Sequence, residues 1–296
     1  MIQRPALLAL LLLSALAPVA WAGEIRRALT VPSPALGRPI PYALYLPDGH
    51  DAGGRYPVLY LLHGHGGNER DWLDGGGLAA TMDRLIAAGE VPPMLVVMPG
   101  LGNGWYVDNP DPGGVGRVAT AFLDDLVPAI DRTWPTDPRR ERRAIAGLSM
   151  GGFGAVRFAM LRPELFVAAA SLSGALVSDA QAATPEWAGW FSGAFGTPVD
   201  LERFHAEAPQ GMLPDFVTAP VRPALLLTCG NRDELGLAES NLLFFLALQR
   251  AGIPAELRIG PGGHDWSVWA RDLEPVLRFV AGAMAAAAGN EAGQRQ

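Results

Sequence analysis

Short runs of apolar residues, bounded by glycine, proline or polar residues, alternate along the chain with longer stretches in which apolar residues recur every three or four positions. The short runs predict buried strands and the longer stretches predict helices. The predicted strands are residues 42–46, 58–62, 94–98, 143–146, 168–172, 224–228 and 256–259. The predicted helices are residues 77–88, 119–132, 151–161, 240–251 and 266–286. Such alternation predicts an α/β fold with a doubly wound, mostly parallel sheet.

One aromatic-rich stretch, residues 178–214, interrupts this alternation and contains turn residues but no clear strand. Its aromatic residues include Trp187, Trp190, Phe191, Phe195 and Phe204. The stretch fits either a small cap over the carboxyl edge of the sheet or a surface excursion with its own small core. We predict a single domain over residues 23–286 with a cap-like insertion at about 178–214, followed by a flexible tail at 287–296.

The first 22 residues have the features of a cleaved signal peptide. Arg4 precedes an uncharged, leucine- and alanine-rich run at residues 6–17, and residues 20–22 form a small-x-small cleavage sequence. A membrane anchor is the alternative, but the run is shorter than the about 20 apolar residues that span a bilayer, and Pro18 interrupts it. The sequence therefore predicts export to a periplasm or the extracellular space, without a stable membrane anchor.

Composition and charge exclude several other classes of protein. With 296 residues, 49% of them hydrophobic, the chain can bury a large core. The net charge is −7 and the basic residues are scattered, which argues against a nucleic-acid partner. The only cysteine, Cys229, excludes an intramolecular disulfide and, at the end of an apolar run, is expected to be an inert buried residue.

A G-x-S-x-G pattern, residues 147–151, lies directly after the predicted strand 143–146 and opens a predicted helix. In this context the pattern predicts a nucleophile elbow, a tight turn that exposes a serine between strand and helix. Glycines are needed because side chains beside the serine would collide with neighbouring backbone. Ser149 would then lie at a helix N-terminus, where the dipole and free N–H groups favour negative charge.

A serine hydroxyl is a poor nucleophile unless an imidazole takes its proton and a carboxylate orients that imidazole. In α/β-hydrolases these residues follow the chain order Ser, then Asp or Glu, then His. Two histidines follow Ser149. His264 lies in a glycine-rich loop between the last predicted strand and the last predicted helix, whereas His205 lies among polar residues of the insertion. We therefore predict His264 as the base.

Three carboxylates could orient His264. Asp233 follows the predicted strand 224–228 across a turn, which places it at the same carboxyl edge of the sheet as the serine and the histidine. Asp265 is adjacent to His264 in sequence and could reach the ring only from behind. Glu234 should face away from its neighbour Asp233. We therefore predict Asp233 as the acid.

Acyl transfer also needs hydrogen-bond donors for the developing oxyanion, and one is usually the N–H of the residue after the nucleophile, here Met150. A second donor should come from the glycine-rich loop at residues 63–68, which leaves a buried strand and resembles the H-G-G-G type of oxyanion loop. We predict the N–H of His65, with Gly64 or Gly66 as alternatives because the sequence does not fix the register.

The same loop carries two histidines, His63 and His65, but no partnered H-x-x-E-H or cysteine cluster. We therefore predict no metal site. The glycines match neither a phosphate-binding loop nor a dinucleotide fingerprint, so we predict no cofactor.

Several segments together resemble the esterase group of α/β-hydrolases that includes esterase D (S-formylglutathione hydrolase), feruloyl and acetyl-xylan esterases, and secreted mycolyltransferases. The matching segments are residues 56–64, 104–108, 147–152 and 263–266. The resemblance covers nearly all of the chain after residue 22. Gly263-His264-Asp265-Trp266, with Trp269 following, is most similar to bacterial feruloyl-esterase-type members, and the export signal argues against the cytosolic formylglutathione role.

The resemblance implies the same catalytic residues as the chemical argument. It implies a triad of Ser149, Asp233 and His264, and oxyanion donors at His65 and Met150. It further implies that Trp105 and Trp266 lie near the acyl or leaving-group pocket, although each could equally be an ordinary packed aromatic residue.

Three functions remain open at this point. The first is a secreted serine carboxylic ester hydrolase that acts through an acyl-enzyme on feruloyl, acetyl or other short acyl esters of sugars. The second is an acyltransferase that passes the acyl group to a sugar hydroxyl, which a cap that excludes water would favour. The third is a catalytically silent binding protein, which the presence of every triad residue type argues against. The expected partner is a small-molecule or carbohydrate-linked ester, and the sequence leaves the oligomeric state undetermined.

Overall fold

The computed structural model describes residues 22–50 and 53–294. The predicted signal peptide therefore lies outside the described residues, apart from Ala22. The strands are β1 (Glu24–Val31), β2 (Ile40–Leu46), β3 (Val58–Leu62), β4 (Leu95–Pro99), β5 (Asp108–Asn109), β6 (Gly116–Arg117), β7 (Arg143–Leu148), β8 (Ala168–Leu172), β9 (Ala224–Gly230) and β10 (Ala255–Gly260). All seven predicted strands are confirmed, with small differences at their ends.

Across these described ranges, eight strands form one sheet in the order β1-β2-β4-β3-β7-β8-β9-β10. The pairs β1–β2 and β2–β4 are antiparallel, and all the others are parallel. Strands β5 and β6 form a separate two-stranded hairpin. Parallel strands need crossover connections, which the helices between them provide. The predicted mostly parallel, doubly wound sheet is confirmed.

The helices cover both faces of the sheet. They are α1 (Asp71–Asp74), α2 (Leu78–Ala87), α3 (Val118–Thr120), α4 (Val127–Thr133), α5 (Met150–Leu161), α6 (Asp179–Ala182), α7 (Pro185–Phe195), α8 (Leu201–Glu207), α9 (Pro209–Thr218), α10 (Leu237–Arg250) and α11 (Trp266–Gln294). A π-helical segment, Ala121–Leu126, joins α3 to α4, and a 3-10 turn, Arg140–Arg142, precedes β7.

Side chains of the central strands alternate between two hydrophobic cores. In β3, Tyr60 and Leu62 face the core that α3 to α5 and α10 cover, while Leu59 and Leu61 face the core that α2 and α11 cover. Residues of a strand that is buried on both faces need not alternate with polar residues. This is why β3, β4 and β7 are continuous apolar runs in the sequence, and buried along their whole length.

Two parts of the chain differ from the predicted elements. Strand β1 was not predicted, because its sequence Glu-Ile-Arg-Arg-Ala-Leu-Thr-Val mixes charged and apolar residues at an exposed edge of the sheet. Helix α11 continues to Gln294, beyond its predicted end at residue 286. Alanine has the highest helix propensity, and the alanine-rich sequence after residue 282 extends the helix.

Residues 178–218 connect β8 to β9 through four successive helices, α6 to α9. Phe191, Phe195 and Phe204 of this segment are buried and pack on one another, with ring centroids 5.0 to 5.5 Å apart. They join the core on the α5 side of the sheet. Over the described ranges, no helix is long and apolar enough to cross a membrane.

Candidate active site

Ser149 occupies the turn between β7 and α5, with a positive φ of 53° and a ψ of −118°. The flanking glycines are required by close backbone contacts. A Cβ atom on Gly147 would lie 2.4 Å from the carbonyl oxygen of Gly151, and one on Gly151 would lie 2.6 Å from the carbonyl oxygen of His63. Any side chain at these positions would force the turn apart. The turn therefore has the tight geometry that the G-x-S-x-G pattern predicts.

The structure brings His264 and Asp233 to this serine. The Nε2 atom of His264 lies 3.0 Å from the Oγ of Ser149, and its Nδ1 lies 2.8 Å from the Oδ2 of Asp233. The Asp233 carboxylate is fully buried, and its Oδ1 accepts a hydrogen bond from the N–H of Leu235. A carboxylate on Nδ1 leaves Nε2 unprotonated and aimed at the hydroxyl. The arrangement can deprotonate Ser149 and stabilise the resulting imidazolium.

The sheet explains why these residues meet although 115 positions separate Ser149 from His264. Strands β9 and β10 are paired in register, and their last residues, Gly230 and Gly260, are partners. The loop that carries Asp233 and the loop that carries His264 therefore leave the sheet side by side. Parallel strands present all their carboxyl ends at one edge, which is where ligands of open α/β sheets bind.

The alternative residues of the sequence analysis have other partners. Asp265 is exposed and accepts hydrogen bonds from the N–H and hydroxyl groups of Ser267 in the first turn of α11. The Glu234 side chain bonds to the backbone of His264, because Glu234 Oε2 accepts the His264 N–H at 3.0 Å. His205 pairs with Asp179 within the insertion. The ring nitrogens of His264 are hydrogen-bonded to Asp233 and Ser149 and to none of these three residues.

The glycine-rich loop after β3 passes close to the serine. A Cβ atom on Gly64 would lie 3.4 Å from the Cβ of Ser149. The N–H of Gly66 is already used, because it donates to the Oδ1 of Asn103 at 2.6 Å. The N–H groups of His65 and Met150 donate no hydrogen bond to any described residue. Both N–H groups are therefore available to a bound ligand.

His63, the first residue of this loop, is 1% exposed and uses both ring nitrogens within the protein. Its Nδ1 donates to the carbonyl of Gly64 at 2.7 Å, and its Nε2 accepts the N–H of Leu101 at 3.2 Å. Burial lowers the pKa of His63, so the ring stays neutral. Neither nitrogen is free to bind a metal. No cluster of potential metal ligands occurs among the residues that the structure describes.

A cleft of about 310 Å³ opens above Ser149 and His264. Its walls are mostly aromatic, and its lining includes Trp105, Trp187, Trp190, Trp266 and Trp269. An apolar cleft with a few convergent polar groups is typical of a small-molecule site. The five tryptophans come from three separate parts of the chain, and α7 of the insertion supplies two of them.

Trp105 and Trp266, the two tryptophans selected from the sequence, both line the cleft. Trp105 is fixed by its Nε1, which donates to the carbonyl of Trp190 at 2.8 Å. Trp266 lies edge-on to Trp269, with ring centroids 5.2 Å apart, and Trp269 lies edge-on to His264 at 5.0 Å. Trp269 therefore packs against His264, and both tryptophans line the cleft.

Sequence reasoning missed four residues of the site. Trp187 and Trp190 were noted only as aromatic residues of the insertion, and Asn103 and Glu234 were not assigned a positive role. The Trp-x-x-Trp spacing from 187 to 190 is one helical turn and indicates a shared face. No local signal in the sequence indicates that Asn103 accepts a hydrogen bond from the glycine-rich loop after β3, because the two segments are 37 residues apart.

The chain is similar to known proteins in both sequence and fold. A family model described as "Putative esterase" matches residues 33–280. An endo-1,4-beta-xylanase/feruloyl esterase of Xylanibacter ruminicola is 35% identical over 234 residues, which are 76% of this chain and 26% of that protein. An acetyl esterase of Caldicellulosiruptor saccharolyticus is 28% identical over 240 residues, which are 75% of this chain and 82% of that protein. A solved ferulic acid esterase superposes with a TM-score of 0.72 at 29% identity, over 89% of this chain and 99% of that one.

The mostly parallel sheet and the strand-turn-helix serine define an α/β-hydrolase. The chain belongs to the esterase family whose model matches residues 33–280, which are most of its length. The chain spans about a quarter of the length of the Xylanibacter ruminicola protein.

Proposed function

We propose that the protein is a serine carboxylic ester hydrolase in which Ser149, His264 and Asp233 form the catalytic triad. The observation that carries the proposal is the chain of hydrogen bonds from Asp233 Oδ2 to His264 Nδ1 at 2.8 Å and from His264 Nε2 to Ser149 Oγ at 3.0 Å. These distances lie within the range that proton transfer between a nucleophile and its base requires.

In the proposed mechanism, His264 takes the Ser149 proton as Oγ attacks the carbonyl carbon of the ester. The backbone N–H groups of Met150 and His65 stabilise the oxyanion of the tetrahedral intermediate. His264 then gives its proton to the departing alcohol, which leaves an acyl group on Ser149. Water attacks this acyl-enzyme with the same proton transfers, and the acid is released. Asp233 keeps the imidazole in the required tautomer throughout.

The preferred substrate is an ester with an aromatic acyl group, of the feruloyl type. Five tryptophans line a cleft of about 310 Å³, which gives a planar acyl group faces and edges to pack against. An acetyl group would leave most of that aromatic surface in contact with water. The relatives named feruloyl esterase support this choice, whereas the acetyl esterase relative supports a short acyl group as the alternative.

Hydrolysis is favoured over acyl transfer by the exposure of the nucleophile. Ser149 is only half-buried, so water has access to an acyl group held there. Transfer would need a closed cleft that keeps water out. Product analysis with and without an acceptor sugar distinguishes the two, because transfer yields an acylated sugar and hydrolysis yields only the free acid.

The direct test compares the wild type with Ser149→Ala on methyl ferulate and on p-nitrophenyl acetate, butyrate and octanoate. We expect activity on all accessible esters to disappear in the variant, and kcat/KM to be highest for methyl ferulate. A folded Ser149→Ala protein that retained wild-type activity would refute the triad. A preference for acetate over ferulate would refute the aromatic acyl pocket while leaving the triad intact.

We further propose export and a single domain with a cap. Residues 1–22 support export by their signal-peptide pattern. Trp187 and Trp190 support the cap, since the insertion supplies a wall of the cleft. Fractionation of the producing cell, with the mass of the exported protein, tests the first proposal. An intact precursor retained in the cytoplasm would refute it.

A further inference from the structure

The first described residues contact a carboxylate on α2, away from the cleft. The Gly23 N–H donates to the Oδ1 of Asp83 at 2.9 Å, and the hydroxyl of Tyr45 donates to the same oxygen at 2.7 Å. Gly23 is also tightly enclosed, because a Cβ atom there would lie 2.4 Å from the ring of Tyr45 and 2.6 Å from the carbonyl oxygen of Leu46. Only glycine fits this position without displacing backbone or a buried ring.

The Asp83 carboxylate has no cationic side chain paired with it among the described residues. No arginine or histidine among the described residues forms an ion pair with it. Asp83 lines a cavity of about 350 Å³ whose lining contains a second carboxylate, Asp48, and no basic residue. Tyr45 is 1% exposed, so one side of the Asp83 carboxylate faces protein and not water. A partly enclosed carboxylate of this kind favours a cationic partner.

We propose that Asp83, Tyr45 and the enclosed backbone at Gly23 form a binding site for the α-ammonium group of the mature chain. The proposal rests on the proposed export, because it takes cleavage after Ala22 as the processing step. Water hydrolyses the Ala22–Gly23 peptide bond and leaves a carboxylate on Ala22 and an amine on Gly23. That amine takes up a proton from solvent and becomes the missing cation beside Asp83.

The site links processing to the stability of the sheet edge. Gly23 directly precedes the edge strand β1, and Asp83 belongs to α2, so the ion pair joins the strand to a helix of the neighbouring layer. Before cleavage Gly23 supplies one neutral N–H donor. After cleavage it supplies a charged group with three donors, and hydrogen bonds between charged groups are stronger than neutral ones.

The sequence permits an unusually direct test. The chain contains 23 arginines and no lysine. The α-amino group is therefore its only primary amine. We would prepare the chain that begins at Gly23 from a fusion whose protease leaves no extra residue, and a control chain that begins at Ala20. Trace acetylation across a pH series, followed by mass spectrometry, gives the pKa of the amine in each chain.

In the Gly23 chain we expect the amine pKa to lie about one unit above its ordinary value of about 7.7 to 8.0, and in the Ala20 chain to lie at that value. Asp83→Asn should remove the difference, whereas Asp48→Asn should keep it. The Gly23 chain should also melt roughly 2 °C above the Ala20 chain only when Asp83 is present. Equal pKa values in the two wild-type chains would overturn the proposal, even where Asp83→Asn fails to fold.

Esterase activity measured on the same preparations reports the catalytic proposal separately. If the chain hydrolyses esters but its amine has an ordinary pKa, only the proposed N-terminal site is refuted. If the amine pKa is raised but the chain has no esterase activity, only the proposed catalytic triad is refuted.

Discussion

At the scale of single residues, Ser149 has a backbone conformation that non-glycine residues rarely adopt. Such strain costs on the order of 1–3 kcal/mol and persists only where the surroundings fix it. The N–H of Ser149 donates to Leu172, and its carbonyl accepts from Phe153 and Ala175. Both peptide groups of Ser149 are therefore held by backbone bonds to α5, β8 and the segment after β8.

Asp233→Asn tests the orienting carboxylate. The amide nitrogen can donate to Nδ1 and so favours the wrong imidazole tautomer, and we expect kcat to fall about 10⁴-fold with little change in stability. Steady-state kinetics on methyl ferulate measures the loss. Asp265→Asn is the matched control, because Asp265 is also next to His264 but its carboxylate accepts hydrogen bonds from Ser267 at the start of α11 and none from the His264 ring. Its kcat should stay within about twofold of the wild type, and the reverse order of the two effects would contradict the assignment of Asp233.

Because of His63, the free energy of unfolding should decrease at acidic pH. Burial lowers the pKa of His63 in the folded state, whereas in the unfolded chain the pKa of a histidine is about 6.5. At a pH below about 6.5 the unfolded chain therefore binds a proton at His63 that the folded chain does not bind. Stability is therefore complete above that pH and falls as pH drops, with a slope from this group of up to about 1.4 kcal/mol per pH unit.

Urea unfolding at pH 7.5 and pH 5.0 measures this effect. Carboxylates also titrate in this range, so the comparison is between the wild type and His63→Gln. The variant should be less stable at pH 7.5 because it loses a bond to Gly64 or Leu101, yet it should lose less stability on acidification. Parallel losses in the two proteins would contradict the role of His63.

At the scale of elements, the order of strands brings the site together. Strand β7 leads into Ser149, and the paired strands β9 and β10 lead into the Asp233 and His264 loops. The sheet therefore acts as a rigid base for three loops. Helix α5 fits closely behind the serine because its second and third residues, Gly151 and Gly152, lie against the end of β3 and against β8 with the segment that follows it.

Two glycine substitutions separate close packing from intrinsic helix propensity. In Gly151→Ala the new methyl group meets the carbonyl oxygens of Leu62 and His63, and we expect a loss of about 2 kcal/mol in unfolding free energy together with lower kcat. Gly189→Ala in α7 meets nothing within 4 Å and should stabilise the protein by about 0.5–1 kcal/mol. Urea unfolding of both variants gives these values, and similar effects at the two positions would argue against close packing at the elbow.

At the scale of the whole molecule, one ion pair ties the insertion to the hydrolase body. Arg157 of α5 is 3% exposed, pairs with Glu207 of α8 and donates to the carbonyl of Tyr106. The helix that begins at the nucleophile is thus bonded to the segment that walls the cleft. Loss of the carboxylate would leave the buried guanidinium without its charged partner.

Glu207→Ala tests this connection. We expect unfolding free energy to fall by about 2 kcal/mol, because a buried cation loses its hydrogen bond. We also expect a raised KM for aromatic esters with a smaller change in kcat, since α8 supports the insertion and not the triad. Glu202→Ala, an exposed position on the same helix, is the control and should match the wild type. A Glu207→Ala protein with unchanged stability would show that the ion pair does not hold the insertion.

Much of the architecture could be predicted because its signals are local. The strands β3, β4, β7, β8 and β9 are short apolar runs, and the G-x-S-x-G pattern lies between one of them and a helix. Strand β1 and helices α6 to α9 could not be predicted in the same way. An exposed edge strand has no clear apolar face, and the insertion is stabilised by contacts with α5 that its own periodicity does not reveal.

The fold class, the family resemblance and the three residues expected to act together could be read from the amino-acid sequence, because periodicity and glycine spacing are local patterns and the chain order of Ser, Asp and His needs no distances. The partner of the His264 ring, the loop N–H groups that stay available and the tryptophans that line the cleft became clear from the three-dimensional arrangement alone. These outcomes depend on distances between segments that are 31 to 115 residues apart, and strand pairing sets those distances.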